Sequence, residues 1–396
     1  MDSNDARARA FKDAVTAGDA ARLRTLFAEH PDLPGVIDAP WFSFGKPALA
    51  EAAGRLDRDM VDALLEVGAD PDARSDWEAG PYSALHTLLD GATPQRIAFA
   101  EYLVSRGATV DLHSAAGLGR LDRIEEILDA APERVSAPGP DGATPLHLAR
   151  SPEVAALLLD RGAEIDKRCV DHSSTPAMWA AGGREDVMRF LLERGATPDL
   201  FQAVLLDDQG LADTILARDP AAISVRVRFG RSHPHLGGGD KYVWALDGAD
   251  TPLELARRRE ARAMEAYLWE RAPLGIKVVH ASRGEDEAAL AELLAEKGAV
   301  DTLSTDEVFL GLCGSASGAG ALTRAGADPS TPDPGNGSTP LHHAGWNGDL
   351  QLARTLLEAG ADPTVHDGNH DSTPLGWADF AGHEEVVRLI EGYLPD

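Results

Sequence analysis

The chain repeats itself at a fixed interval, and this restricts its fold more than any other feature. STPLHHAGWNGDLQLARTLLEAGADPT (338–364) returns as STPLGWADFAGHEEVVRLIEGYL (372–394). STPAMWAAGGREDVMRFLLERGATPD (174–199) and ATPLHLARSPEVAALLLDRGAEID (143–166) carry the same pattern. Thr339 and Thr373 are 34 residues apart, and Gly162 and Gly195 are 33 apart. A unit this short cannot bury an apolar stripe alone, so neighbouring units must stack.

The unit reads as two helices and a turn. Thr339 is placed to cap a helix, and Pro340 occupies the first helical position, where a missing N–H costs nothing. Leu341 and Ala344 face the core, and Gly348 separates the two helices. Leu352, Ala353, Leu356 and Leu357 form the apolar stripe of the second helix. Gly360 ends that helix with a positive φ, and ADPT begins the turn into the next unit.

A period near 33 with T-P-L-H and G-A-D resembles the ankyrin repeat, and the resemblance covers nearly the whole chain. It implies an all-α ankyrin-repeat solenoid with short β-turn or hairpin fingers, a single domain over 1–396. The 396 residues, at about 33 per unit, give about twelve repeats. TPLH-type units begin near 47, 83, 143, 174, 251, 338 and 372. The stretches 10–27, 111–128, 199–216 and 277–294 keep the helix pair without the TP. The unit at about 305–330 is degenerate: Gly318 and Gly320 lie inside its second helix, each costing ~1 kcal/mol relative to Ala. It is expected to be the weakest repeat, or a place of close backbone approach. An insertion at about 221–249 alternates apolar and polar residues in ISVRVRF and KYVWAL, which predicts a β-hairpin-like arm across Gly237–Gly239. With Arg226, Arg228, Arg231 and Lys241 this arm is locally basic, and either covers a groove or pairs with the chain's own acids.

Lys and Arg number 37 against 65 Asp and Glu, a net charge of −28. Nucleic acid and polybasic membrane contact are disfavoured, because both need clustered cations. No run approaches the ~18 apolar residues of a spanning helix, and the first residues lack a signal-peptide core. Two cysteines, Cys169 and Cys313, suit a reducing cytoplasm. The cations are 31 Arg and 6 Lys, which with high Ala, Gly and Asp usage suggests a GC-rich bacterial source.

The resemblance implies a concave groove lined by fingers and first helices. Trp41, Phe42, Phe44, Trp77 and Tyr82 map to fingers, and Trp179, His343, Trp346 and Trp377 to first helices. Trp244 falls in the insertion, and Trp269 is the tryptophan that fits none of these places. Exposed large apolar groups mark binding surfaces. In the family the TPLH histidine is a structural hydrogen-bonder, a role assigned to His86, His147 and His342, with His280, His113 and His383 similar. His343, His172, His366 and His370 depart from the consensus, and Asp171, Asp367 and Asp371 lie beside the finger histidines. Such pairs build proton-transfer sites or cap turns. No cofactor or metal is expected: zincin, EF-hand, P-loop and nucleophile-elbow signatures are missing. GLCGSASG (311–318) has Ala316 where the elbow needs Ser, which places Cys313 in the core.

Two functions follow. The first is a scaffold that binds a protein or peptide on the concave face. The alternative is a cofactor-independent enzyme or binder of an apolar small molecule. There the aromatic residues would shape a pocket, and His343, His172 and Asp379 would do acid–base work such as dehydration, addition or cyclisation.

Overall fold

Each repeat is built outward from its caps. The computed structural model describes residues 6–30, 33, 37–89, 93–227, 241–246, 250–284, 287–296 and 298–395. Pro340–Asn347 starts behind Thr339, whose N–H donates to His342 Nδ1 at 2.9 Å, and stops at Gly348 with φ of 70°. Asp349 then caps Leu350–Glu358 by accepting from the Leu352 N–H at 2.9 Å, and Gly360 closes the unit with φ of 93°. Leu341, Ala344, Leu352, Ala353, Leu356 and Leu357 are all buried.

The chain divides into two compact units, Met1–Arg259 and Glu260–Asp396. The first pairs Ala6–Ala17 with Ala20–Glu29, Ala48–Gly54 with Arg58–Glu66, and the short turn His86–Leu88 with Pro94–Ser105. It continues with Leu112–Leu118 against Leu121–Ala130, and Pro145–Leu148 against Pro152–Asp160. Pro176–Trp179 then pairs with Glu185–Glu193, Leu200–Leu205 pairs with Gln209–Arg218, and Pro252–Arg258 follows. The second unit opens with Arg262–Arg271. It then pairs Leu274–Arg283 with Glu287–Leu293, Thr305–Leu312 with Ala316–Arg324, Pro340–Asn347 with Leu350–Glu358, and Pro374–Phe380 with Glu384–Glu391. One apolar core runs through this unit from Val278 by Leu322 and Leu356 to Ile390.

The fingers are tight turns. Cys169, Asp333 and Asp367 donate their N–H groups to the carbonyls of Ser174, Ser338 and Ser372 at 3.0, 2.7 and 3.0 Å. Successive tips are tied by Asp171 N–H to Asp141 carbonyl at 3.1 Å and by Gly368 N–H to Asn336 carbonyl at 2.6 Å. The TPLH histidines link repeats. His147 Nδ1 accepts from the Thr144 N–H at 3.0 Å, which leaves Nε2 to donate to the Ser174 carbonyl of the next finger at 3.0 Å. His342 repeats the arrangement onto the Ser372 carbonyl at 3.1 Å. His280 differs: its Nε2 meets Glu265 Oε1 at 2.8 Å.

The degenerate repeat folds as a helix pair, and its glycines admit a neighbouring backbone. A Cβ on Gly318 would lie 2.6 Å from the Ser282 carbonyl oxygen, and one on Gly314 would lie 2.8 Å from Ser282 Oγ. Cys313 packs beside the buried cluster of Val279, Phe309 and Leu310.

The described residues do not support the hairpin expected at 221–249. Among the described residues no strand forms. Pro220–Ser224 is a 3-10 turn, and KYVWA is the helix Lys241–Ala245. The expected tip, Gly237–Gly239, with Arg228 and Arg231, lies outside the described residues. A run of six residues is too short to tell one period from the other, and burial decides between them. Tyr242 and Leu246, one helical turn apart, are 0% and 2% exposed. Tyr242 packs on Phe201 at 5.1 Å between ring centroids, and its hydroxyl donates to Asp199 Oδ2 at 2.5 Å. Burial pushes the Asp199 carboxyl up to about 6, although the Tyr242 hydroxyl and the Gln202 N–H favour its charged form.

Candidate functional site

In the second unit, residues one repeat apart come into ring contact. Phe309, His343 and Trp377 occupy the same register at intervals of 34, as do Trp346 and Phe380. His343 and Trp346 are three residues apart on one helix, and Trp377 and Phe380 on the next, so each pair shares a face. Gly345 lets these helices close up: a Cβ there would sit 2.8 Å from the Pro374 carbonyl oxygen.

The rings then form a connected row. Phe309 lies edge-on to His343 at 5.3 Å between centroids, and His343 meets Trp377 at 5.7 Å. Trp377 meets Trp346 edge-on at 6.0 Å, and Trp346 stacks on Phe380 at 6.0 Å with 15° between planes. The row emerges as it runs. Phe309 is buried, His343 and Trp377 are half-buried, Trp346 is 49% exposed and Phe380 83%.

Polar contacts hold the inner rings. The Trp377 indole donates to Asp367 Oδ2 at 2.9 Å. Asp367 is a finger residue whose Oδ1 accepts from the N–H groups of Asn369 and His370 at 2.9 and 2.8 Å. Burial pushes its carboxyl up, but the donors of His370, Trp377, Asn369 and Ser372 outweigh this and hold it at about 2. His343 Nε2 lies 3.1 Å from Ser338 Oγ. His383 Nε2 lies 3.0 Å from the Trp346 carbonyl, which fixes the helix end under the exposed indole. Asp379 is exposed beside Phe380.

The first unit disposes its predicted residues differently. Phe44 is 61% exposed and stands edge-on to Trp77 at 5.1 Å, while Trp41, Trp77 and Tyr82 are half-buried. Burial pushes the Tyr82 hydroxyl up to about 12, with the charges of Asp141, Glu51 and Asp171 adding to it. Trp179 is 2% exposed. Its indole N–H donates to Cys169 Sγ at 3.4 Å, His147 and His172 pack on it at 5.5 and 5.8 Å, and Lys241 Nζ sits 4.1 Å from its centroid. His172 Nδ1 is 3.5 Å from Asp171 Oδ2. The Trp244 side chain lies outside the described residues. Two clefts, of 190 Å³ by Asp199 and 230 Å³ by Asp379, are smaller than the ~300–1,000 Å³ of small-molecule sites, and none of these Trp, Tyr or Phe rings lines either.

Sequence reasoning brought His343, Trp346 and Trp377 to one surface and missed Phe309 and Phe380. The signal for both was the repeat register, which places an aromatic residue 34 positions from His343 and from Trp346.

The family model described as "Ankyrin repeats (3 copies)" matches residues 112–202 and 309–393. These two stretches resemble ankyrin repeats. The second ankyrin match contains the entire ring row. Ankyrin repeat and SAM domain-containing protein 6 of Mus musculus is 31% identical over 136 residues, 31% of this chain and 15% of the mouse protein. The Rattus norvegicus protein of the same name is 30% identical over 129 residues, 30% of this chain and 14% of the rat protein. The chain thus spans a minor part of these relatives' length. No helix among the described residues is long and apolar enough to cross a membrane.

Proposed function

We propose that the chain is a protein-binding array of about twelve ankyrin repeats, working in the cytoplasm, and that the ring row of its last repeats seats a polypeptide partner. The observation that carries this is the exposure of Trp346 and Phe380 on a face built from successive first helices. Aromatic side chains are rigid and large, and covering them costs little conformational entropy. Their remaining exposed surface is roughly 300 Å², about 7 kcal/mol of gross burial energy, similar to the cost of bringing two molecules together. The pair therefore serves as an anchor, and neighbouring contacts supply the net affinity. Trp41, Phe44, Trp77 and Tyr82 form a second aromatic finger surface on the first unit that belongs to the same proposal.

The test is a selection of displayed random peptides on the full chain, with enriched sequences measured against the Trp346→Ala/Phe380→Ala double variant. Both side chains are exposed, so circular dichroism and the unfolding midpoint should stay near the parent values. Peptides from the parent should bind the double variant at least about tenfold more weakly, the usual scale of a hot-spot pair. Equal binding to both proteins would remove this face as the site.

A further inference from the structure

Several half-buried aromatic rings of the protein carry one of its own cations on a face. The Arg58 guanidinium sits 4.0 Å from the Tyr102 centroid, and Arg271 sits 3.8 Å from that of Tyr267. Arg194 lies 5.4 Å from Phe190, and Lys277 lies 5.7 Å from Trp269. Among the described residues, no cation stands over Trp346, Trp377 or Phe380. The local sequence supplies few candidates. Residues 305–396 contain fourteen Asp and Glu but three Arg, Arg324, Arg354 and Arg388, and no Lys. Arg388 lies 3.8 Å from Glu384 on its own helix. Exposed carboxylates at Asp371, Asp379 and Glu384 flank the rings in sequence.

Electron-rich ring faces in a field of carboxylates attract a cation, and none of the described residues supplies one there. Resting on the scaffold reading above, we infer that the ring row takes arginine side chains from an extended, arginine-bearing segment of a partner protein. Trp346 and Phe380 present faces within 15° of parallel. A planar guanidinium stacks on such a face and gives up its hydration more readily than an ammonium, so arginine is favoured over lysine. The carboxylates complete the match by pairing with further cations along the segment.

The test uses the full chain and fluorescein-labelled peptides of equal length that alternate glycine with arginine, lysine or glutamate. Binding is followed by anisotropy at one fixed ionic strength. The arginine peptide should bind, the lysine peptide should bind about tenfold more weakly, and the glutamate peptide should not bind. Trp346→Ala/Phe380→Ala should weaken the arginine peptide about tenfold, whereas Trp346→Phe, which keeps a ring at both positions, should retain most of the parent's affinity. Equal affinity for arginine and lysine peptides, unmoved by the double variant, would reduce the interaction to net charge and overturn the inference. If no charged peptide binds while selected peptides still depend on Trp346 and Phe380, the arginine inference fails and the scaffold reading stands. If neither dependence appears, both fail.

Discussion

His147 shows how much one side chain can carry in a repeat array. Its Nδ1 accepts the Thr144 N–H and its Nε2 donates to the Ser174 carbonyl, so the neutral ring uses both nitrogens. Burial, with Arg184 and His113 nearby, pulls its pKa down to about 3, although the Ser174 carbonyl favours the charged form. The sign follows from the unfolded value near 6.5. The folded ring resists protonation, so its contribution to stability is complete above pH ~6.5. It is lost progressively as pH falls from there toward 3, at up to about 1.4 kcal/mol per pH unit. Gln202 shows the substitute, since its Oε1 accepts the Asp199 N–H at 3.1 Å without titrating. His147→Gln should flatten the decline of the urea midpoint between pH 6.5 and 4 by about one proton's worth. An unchanged slope would mean that other groups govern acid sensitivity. This role was legible in the sequence because T-P-L-H fixes the geometry. The equivalence assigned to His280 was not, because its partner, Glu265, lies on a helix outside the motif.

Single helices test the same logic through their glycines. Gly318 and Gly320 both sit in Ala316–Arg324 and both depart from good helix composition. Their surroundings differ. A Cβ on Gly318 would meet the Ser282 backbone at 2.6 Å, whereas on Gly320 it would meet the movable end of Arg324 at 3.1 Å and Thr355 Cγ2 at 3.5 Å. Gly320→Ala should raise stability by up to about 1 kcal/mol through helix propensity and reduced unfolded-state freedom. Gly318→Ala should lower stability by about 1–3 kcal/mol through overpacking. Denaturant melts of the two variants check both signs, and equal shifts would refute the distinction. The sequence marked this helix as weak or closely approached, and only the position of Ser282 tells the two glycines apart. Period told the two helices of 338–364 from the turns around them but failed on KYVWAL, where the run is too short. There, contacts with Asp199 and Phe201, more than forty residues earlier, decide the state. The ring row was half legible for a related reason. His343, Trp346 and Trp377 could be mapped one repeat at a time, whereas Phe309 and Phe380 matter only once adjacent repeats are laid in register.

At the scale of the whole molecule the dominant property is charge. A net −28 surrounds the chain with a field that falls off over about 8 Å at physiological ionic strength, so it acts before contact and fades with added salt. The ring contacts are short-ranged and largely insensitive to salt. The two effects therefore separate kinetically. For an arginine-bearing peptide, raising salt from about 0.02 to 0.5 M should slow association by at least about tenfold and change dissociation far less. Trp346→Ala/Phe380→Ala should do the opposite, speeding dissociation with association nearly unchanged. Stopped-flow mixing followed by tryptophan emission measures both rates. If salt instead acts mainly on dissociation, the carboxylates make direct ion pairs in the bound state, and the rings would no longer be the principal anchor. If salt acts on association alone, the acidic surface gathers the partner and the row from Phe309 to Phe380 retains it.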